Sequence, residues 1–238
     1  MSNVNKLKIK IFADGADLET MKRIYREGTV KGFTTNPTLM RKAGVNDYET
    51  FAKNVLKEIK DLPISFEVFS DEFEQMEKEA HKIAAWGANV NVKIPITNTR
   101  GESSCPLIKR LSAQGVTLNV TAILTVEQVR AVVDALAPGS KSIISIFAGR
   151  IADTGRDPEP YMKEAAAIAK KNPGAQVLWA SSRELLNIFQ AQNSGCHIIT
   201  VTDDILRKLS VIGKDLAELS LDTVKMFYKD AQAAGYNI

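Results

Sequence analysis

Cysteine and histidine are scarce in this chain, two of each among 238 residues. Cys105 and Cys196 lie far apart, with no Cys-x-x-Cys pair and no histidine at ligand spacing. They read as free thiols of a reducing compartment, and zinc ligation has no support. His81 falls on a helical segment and His197 at a strand start, both structural positions. Long apolar runs are missing too, and none has the length to span a bilayer. Charge of one sign is nowhere concentrated: 31 basic and 28 acidic residues intermix to a net +3, which argues against a nucleic-acid or polybasic membrane partner. Residues 1–6 are polar, with no apolar signal-peptide core behind them. No Gly/Pro/Ser-rich linker divides the chain. These absences lead to the expectation of one soluble cytoplasmic domain over residues 1–238.

What is present is an ordinary globular composition, 45% hydrophobic and 25% charged, in a repeating order. Short apolar runs at residues 8–13, 32–35, 63–69, 88–96, 116–124, 142–147, 176–180 and 197–201 read as strands. Segments of helical spacing follow them at 17–25, 48–59, 72–86, 107–113, 125–136, 158 or 160 to 171, 183–191 and 203–209, and a last one covers about 216–234. Polar loops fill 97–106 and 149–157. Alternating strand and helix implies a parallel sheet, and eight units predict an α/β fold, a single closed (β/α)8 TIM barrel with an additional C-terminal helix. An open doubly wound sheet would carry a glycine-rich phosphate turn after its first strand, and Asp14-Gly15-Ala16-Asp17 is not one.

The fourth strand contains Asn91-Val92-Lys93-Ile94-Pro95, a lysine among apolar neighbours just before a proline that ends the ladder. A desolvated lysine is a nucleophile for carbonyl carbon through a Schiff base, although most apolar-flanked lysines simply reach back to water. In a barrel the active site forms at the C-terminal ends of the strands. Those ends carry Asp14, Thr35 and Asn36, Glu67, Lys93, Asn119 and Thr121, Ser145 with Arg150 beyond, and Ser181, Ser182 and Arg183. An amine, two carboxylates that exchange protons, hydroxyls that hold water and arginines suited to an anionic group together fit imine chemistry on an anionic carbonyl compound. Singly, each has a structural reading: Asp14 as a turn residue or cap, Asn36-Pro37 as the start of a loop, Glu67 with Arg150 as an ion pair, Ser181 as an N-cap.

The segments Phe12-Ala13-Asp14, Thr34-Thr35-Asn36-Pro37-Thr38, Val92-Lys93-Ile94-Pro95, Ser145-Ile146-Phe147-Ala148-Gly149-Arg150 and Ala180-Ser181-Ser182-Arg183 occur in order along nearly the whole chain. They resemble the signature segments of the transaldolases, in particular the small microbial branch that includes the fructose-6-phosphate aldolases. The resemblance implies a barrel of the class I aldolase type, with Lys93 forming an imine with a ketose and Asp14 taking the proton of the C4 hydroxyl. It implies a water held by Glu67 and Thr121, a dihydroxyacetone unit held by Asn36 and Ser145, and phosphate bound by Arg150, Ser181 and Arg183. No metal or organic cofactor is called for, and the implied partners are sugar phosphates and further copies of the chain, in pentamers or decamers. Transaldolases carry glutamate and phenylalanine where Glu67 and Phe147 stand, whereas the aldolases tend to carry glutamine and tyrosine. Both residues therefore point to transfer over cleavage. The 97–106 loop is longer than in similar chains, and Arg100 within it is an alternative contact for the anionic end of a substrate. Gly15-Ala16 and Arg156 also depart from the pattern.

Overall fold

The computed structural model describes residues 7–236, so the polar stretch 1–6 and its bearing on a signal peptide lie outside the described residues. Along the chain run β1 (Lys10–Asp14), α1 (Leu18–Glu27), β2 (Phe33–Thr34), α2 (Pro37–Lys42), α3 (Tyr48–Glu58), β3 (Ile64–Glu67), α4 (Phe73–Ala84) and β4 (Val90–Pro95). There follow α5 (Cys105–Ala113), β5 (Leu118–Ile123), α6 (Val126–Ala135), β6 (Ser142–Ile146), α7 (Ala148–Ala152), α8 (Glu159–Ala169) and β7 (Ala175–Trp179). The last elements are α9 (Leu186–Asn193), β8 (Ile198–Val201), α10 (Asp203–Arg207), a 3-10 turn (Lys208–Val211) and α11 (Leu216–Ala234). The eight strands close in chain order, and each neighbouring pair is parallel, from β1–β2 round to β8–β1. This is the (β/α)8 barrel that the alternating pattern predicts.

The helix starts follow local chemistry. Asp17 accepts from Thr20 N at 2.8 Å, Asn36 from Leu39 N at 3.0 Å and Asp47 from Thr50 N at 3.0 Å. Thr125 and Gln128 close a reciprocal capping box. Each such cap satisfies an otherwise orphaned amide and is worth about 1 kcal/mol.

Several boundaries differ from the sequence expectation for the same reasons. Asn36-Pro37 opens the helix α2 instead of a loop, because an Asn cap followed by a first-turn proline is a helix start. Pro106 does the same for α5, which begins at Cys105. The polar loop expected at 149–157 is helical at its front, as α7, and α9 begins only at Leu186.

Two apolar layers hold the barrel. The outer layer lies between strands and helices, with Phe33, Phe66, Ile94, Leu118 and Trp179 fully buried. The inner one is small: Phe12, Ile143, Leu178, Ala180 and Ile198 meet inside the barrel, with Phe147 against them. Phe12 fits because β2 is preceded by Gly32, where a Cβ would stand 2.5 Å from its ring.

α11 is different. None of its residues is buried, and Leu221, Val224, Phe227 and Tyr228 are each more than half exposed. Among the described residues, no helix is long and apolar enough to cross a membrane.

Candidate active site

The C-terminal mouth of the barrel encloses a cavity of about 370 Å³. Its lining includes Asp14, Asn36, Glu67, Lys93, Thr121, Ser145, Phe147, Arg150 and Ser181, nine of the ten residues to which the family resemblance gives a part. The size suits a small metabolite, being near the lower end of the range for ligand sites.

Lys93 is the centre. Its side chain is 8% accessible, and its amine donates to Thr35 O at 2.8 Å and lies 3.0 Å from Glu67 Oε2. Register explains the pairing, since Glu67 and Lys93 are partners across β3 and β4. Tyr48 fixes the backbone beneath this carboxylate by donating its hydroxyl to Glu67 O at 3.0 Å.

Asp14, at the end of β1, accepts from Thr34 Oγ1 at 2.8 Å. Burial pushes its carboxyl above the ordinary carboxylate range and Glu67 adds to the rise, while Lys93, Thr34 and Asn36 oppose it. A carboxylate so balanced is suited to taking and returning a proton.

On the far wall, Ser145 donates to Asn119 Oδ1 at 2.6 Å, and Asn119 donates on to Ser65 Oγ at 2.9 Å. The Ser145 oxygen is thereby oriented, with its lone pairs left for a ligand. Thr121 has a buried hydroxyl with no hydrogen-bond partner among the described residues, so it is available to a water or a substrate. Arg150 is exposed at α7 and stacks its guanidinium 5.5 Å from the centre of the Phe147 ring. Ser181 stands at φ +61°, a left-handed conformation that costs energy in a non-glycine residue and marks a constrained site. Gly149 makes room for it, because a Cβ there would lie 1.6 Å from Ser181 O.

Not every expected residue joins. Arg183 lies outside the cavity lining, forked onto Asp153 with contacts of 3.0 and 2.5 Å, which occupy its anion-binding edge. Ser182 turns away as well, donating its hydroxyl to Thr200 O. Arg100 is also outside the lining and is held by Glu72 at 2.7 Å, Glu102 at 2.9 Å and Asp71 at 3.4 Å. Its loop is thereby clamped to the one after β3, with Thr99 bonding Asp71 as well. Arg156 donates to Thr154 Oγ1 at 2.8 Å and, among the described residues, has no other side-chain partner.

His197 accepts from Val177 N through Nδ1 at 3.1 Å, a structural use, and burial lowers its proton affinity. Cys105 and Cys196 are unlinked, and burial pushes the Cys196 thiol up to about 12, which makes it inert. Among the described residues no group of three or more His, Cys, Asp or Glu side chains is arranged to hold a metal ion.

Asn119 lines the cavity as its strand end predicts, and Thr34 and Thr200 line it too although the sequence reading assigned those two no role. The available signal was parity: Thr200 is a polar residue in an otherwise apolar strand, at the inward position of the eighth strand end.

The profile of the transaldolase/fructose-6-phosphate aldolase family matches residues 11–238. The chain belongs to this family. Within it, the chain is 34% identical over 202 residues to a probable transaldolase of Dehalococcoides mccartyi, covering 84% of this chain and 90% of that one. It is 36% identical to a probable transaldolase 2 of Listeria monocytogenes, with 84% and 88% covered. A probable transaldolase of Streptococcus equi subsp. zooepidemicus is likewise 36% identical, with 85% and 90% covered. The protein is thus an enzyme of the transaldolase/aldolase family.

Proposed function

We propose that the protein is a transaldolase, moving a dihydroxyacetone unit from a ketose phosphate to an aldose phosphate through a Schiff base on Lys93. The observation that carries this reading is the near-buried Lys93 amine beside Glu67, with Asp14 on the same cavity wall system. Lys93 in its amine form attacks the ketose carbonyl, and loss of water with one proton kept on nitrogen gives the protonated imine. The water relayed by Glu67 and Thr121 carries the protons of that step. Asp14 then takes the C4 hydroxyl proton. The C3–C4 bonding pair moves onto the imine as an enamine, and an aldose leaves. Attack of the enamine on a second aldose, with Asp14 returning the proton, reverses these steps. Asn36 and Ser145 hold the three-carbon unit, and Arg150 with Ser181 receives the phosphate.

Transfer is favoured over release by Phe147, which has no hydroxyl with which to activate water against the enamine. The alternative is a lyase of the fructose-6-phosphate aldolase kind, discharging free dihydroxyacetone, and a different anionic sugar is a variant of the same scheme. The two are separated by following fructose 6-phosphate consumption with and without erythrose 4-phosphate. Transfer predicts turnover only with the acceptor, and acceptor-independent turnover with free dihydroxyacetone would establish the lyase instead.

We further propose that the enzyme acts as a homo-oligomer through α11. A 19-residue helix with no buried residue and several exposed large apolar side chains is a surface that a second copy would cover. Sedimentation at micromolar concentration is expected to give a multiple of the 26.1 kDa chain mass, and a purely monomeric species would count against it.

A further inference from the structure

We propose that Thr34 and Thr200 act as a pair of positioning residues that aim the carboxylate of Asp14 at the substrate hydroxyl, an inference that rests on the role given to Asp14 above. β1 lies between β2 and β8, and the register sets Thr34 opposite Asp14 and Thr200 opposite Phe12. Both threonines line the cavity, yet they are only 4% and 5% exposed. Thr34 donates to Asp14 Oδ1 at 2.8 Å, and the two threonine hydroxyl oxygens lie 2.6 Å apart. A hydroxyl has one proton, and an ionised carboxylate only accepts. The proton of Thr34 is therefore committed to Asp14, and Thr200 must donate to Thr34.

The result is a directed chain, Thr200 to Thr34 to Asp14, in which each bond polarises the next. Threonine is stiff at χ1, so the hydroxyls are placed by the strands themselves. The end of β8 is pinned in turn, since Thr200 O accepts from Ser182.

The chain matters because of what else surrounds Asp14. The charged groups facing it are Lys93 from β4, which favours its ionised form, and Glu67 from β3, which opposes it, while β2 and β8 bring only hydroxyls. Before the C3–C4 bond breaks Asp14 has to be ionised, and the hydrogen bonds from Thr34 and Asn36 join Lys93 in holding the carboxylate so against its burial and Glu67. Once Lys93 is a neutral enamine, Asp14 carries the proton taken from the C4 hydroxyl. The threonine pair thus acts most at the step where Asp14 takes that proton.

The test compares Thr34→Val, Thr200→Val, the double variant and Thr34→Ser, using kinetics across pH and the 13C carboxyl resonance of Asp14, assigned by its loss in Asp14→Asn. Thr34→Val is expected to lower kcat roughly 10–100-fold, with little change in donor KM, because it removes a hydrogen bond to a charged group. The Asp14 titration and the acid limb of the pH profile are expected to move together to higher pH. Thr200→Val should move both in the same direction by less, the double variant should be no worse than Thr34→Val, and Thr34→Ser should restore both. Independent, multiplying effects of the two valines, or an Asp14 titration unmoved in both, would overturn the pair. Should Thr34→Val not fold, Thr200→Val and Thr34→Ser decide it alone. The resonance is read without substrate, so wild-type protein inactive on fructose 6-phosphate and erythrose 4-phosphate would reject the transaldolase reading while the pairing was still decided.

Discussion

Replacing Lys93 with methionine is expected to abolish turnover, by roughly 10⁶-fold as for loss of a covalent nucleophile. Methionine is close in length and apolar, so the side chain still fills its place inside the barrel. What is lost is the amine and its contacts with Glu67 and Thr35 O. Borohydride added with a ketose phosphate is expected to fix a three-carbon fragment on Lys93 of the wild type, found by peptide mass spectrometry, and none on the variant. A fragment on another lysine would move the chemistry elsewhere. Glu67 makes the variant informative about stability too: the substitution leaves a partly buried carboxylate without its ion-pair partner, so the melting temperature is expected to fall.

Asp14→Asn is expected to lower kcat by about 10²–10⁴-fold, the range of a general base, while borohydride still traps the imine on Lys93. Formation of the imine does not need this group, whereas cleavage of the C3–C4 bond does, so the variant should accumulate adduct of the intact ketose. Stability is expected to move the other way. The folded-state affinity of Asp14 for its proton is raised by burial. Its ionised form therefore works against folding above the raised folded-state midpoint, and that penalty fades as pH falls through it. An asparagine is never ionised, so the variant is expected to melt higher at neutral pH and to lose the advantage in acid. Thermal melts at neutral and acidic pH measure this, and a variant less stable at both would show that the carboxylate is well compensated. The opposite signs of the effects on rate and stability are what a site held against its own burial cost predicts.

The barrel was legible because its signal is repeated. Each strand is a short apolar run, each helix opens on a cap such as Asp17, Asp47 or Thr125, and the order alone implies a parallel sheet. The mouth followed from the rule that a barrel builds its site at the C-terminal ends of its strands, where Asp14, Glu67, Lys93 and Ser145 stand on β1, β3, β4 and β6. What the sequence could not carry was the competition among polar groups for one another. Arg183 and Arg150 look alike on paper, yet an aspartate on the α7 side claims the first while the second rests on an aromatic ring at the rim. Arg100 is claimed by Glu102 of its own loop and by Asp71 and Glu72 of the neighbouring loop after β3, a choice of partners that strand order alone does not specify. Ser181 and Ser182 are adjacent, and only a positive φ at the first decides which one faces the cavity. Thr200 escaped notice because a single hydroxyl in an apolar strand gains meaning only when β8 closes against β1.

Lys93, Asp14 and Glu67 line one and the same cavity at the C-terminal ends of the strands. Donor and acceptor sugars must therefore use that cavity in turn. Under the proposed reaction the first aldose must depart before the second arrives, so the kinetics are of the ping-pong kind, with a modified enzyme waiting between two visitors that never meet.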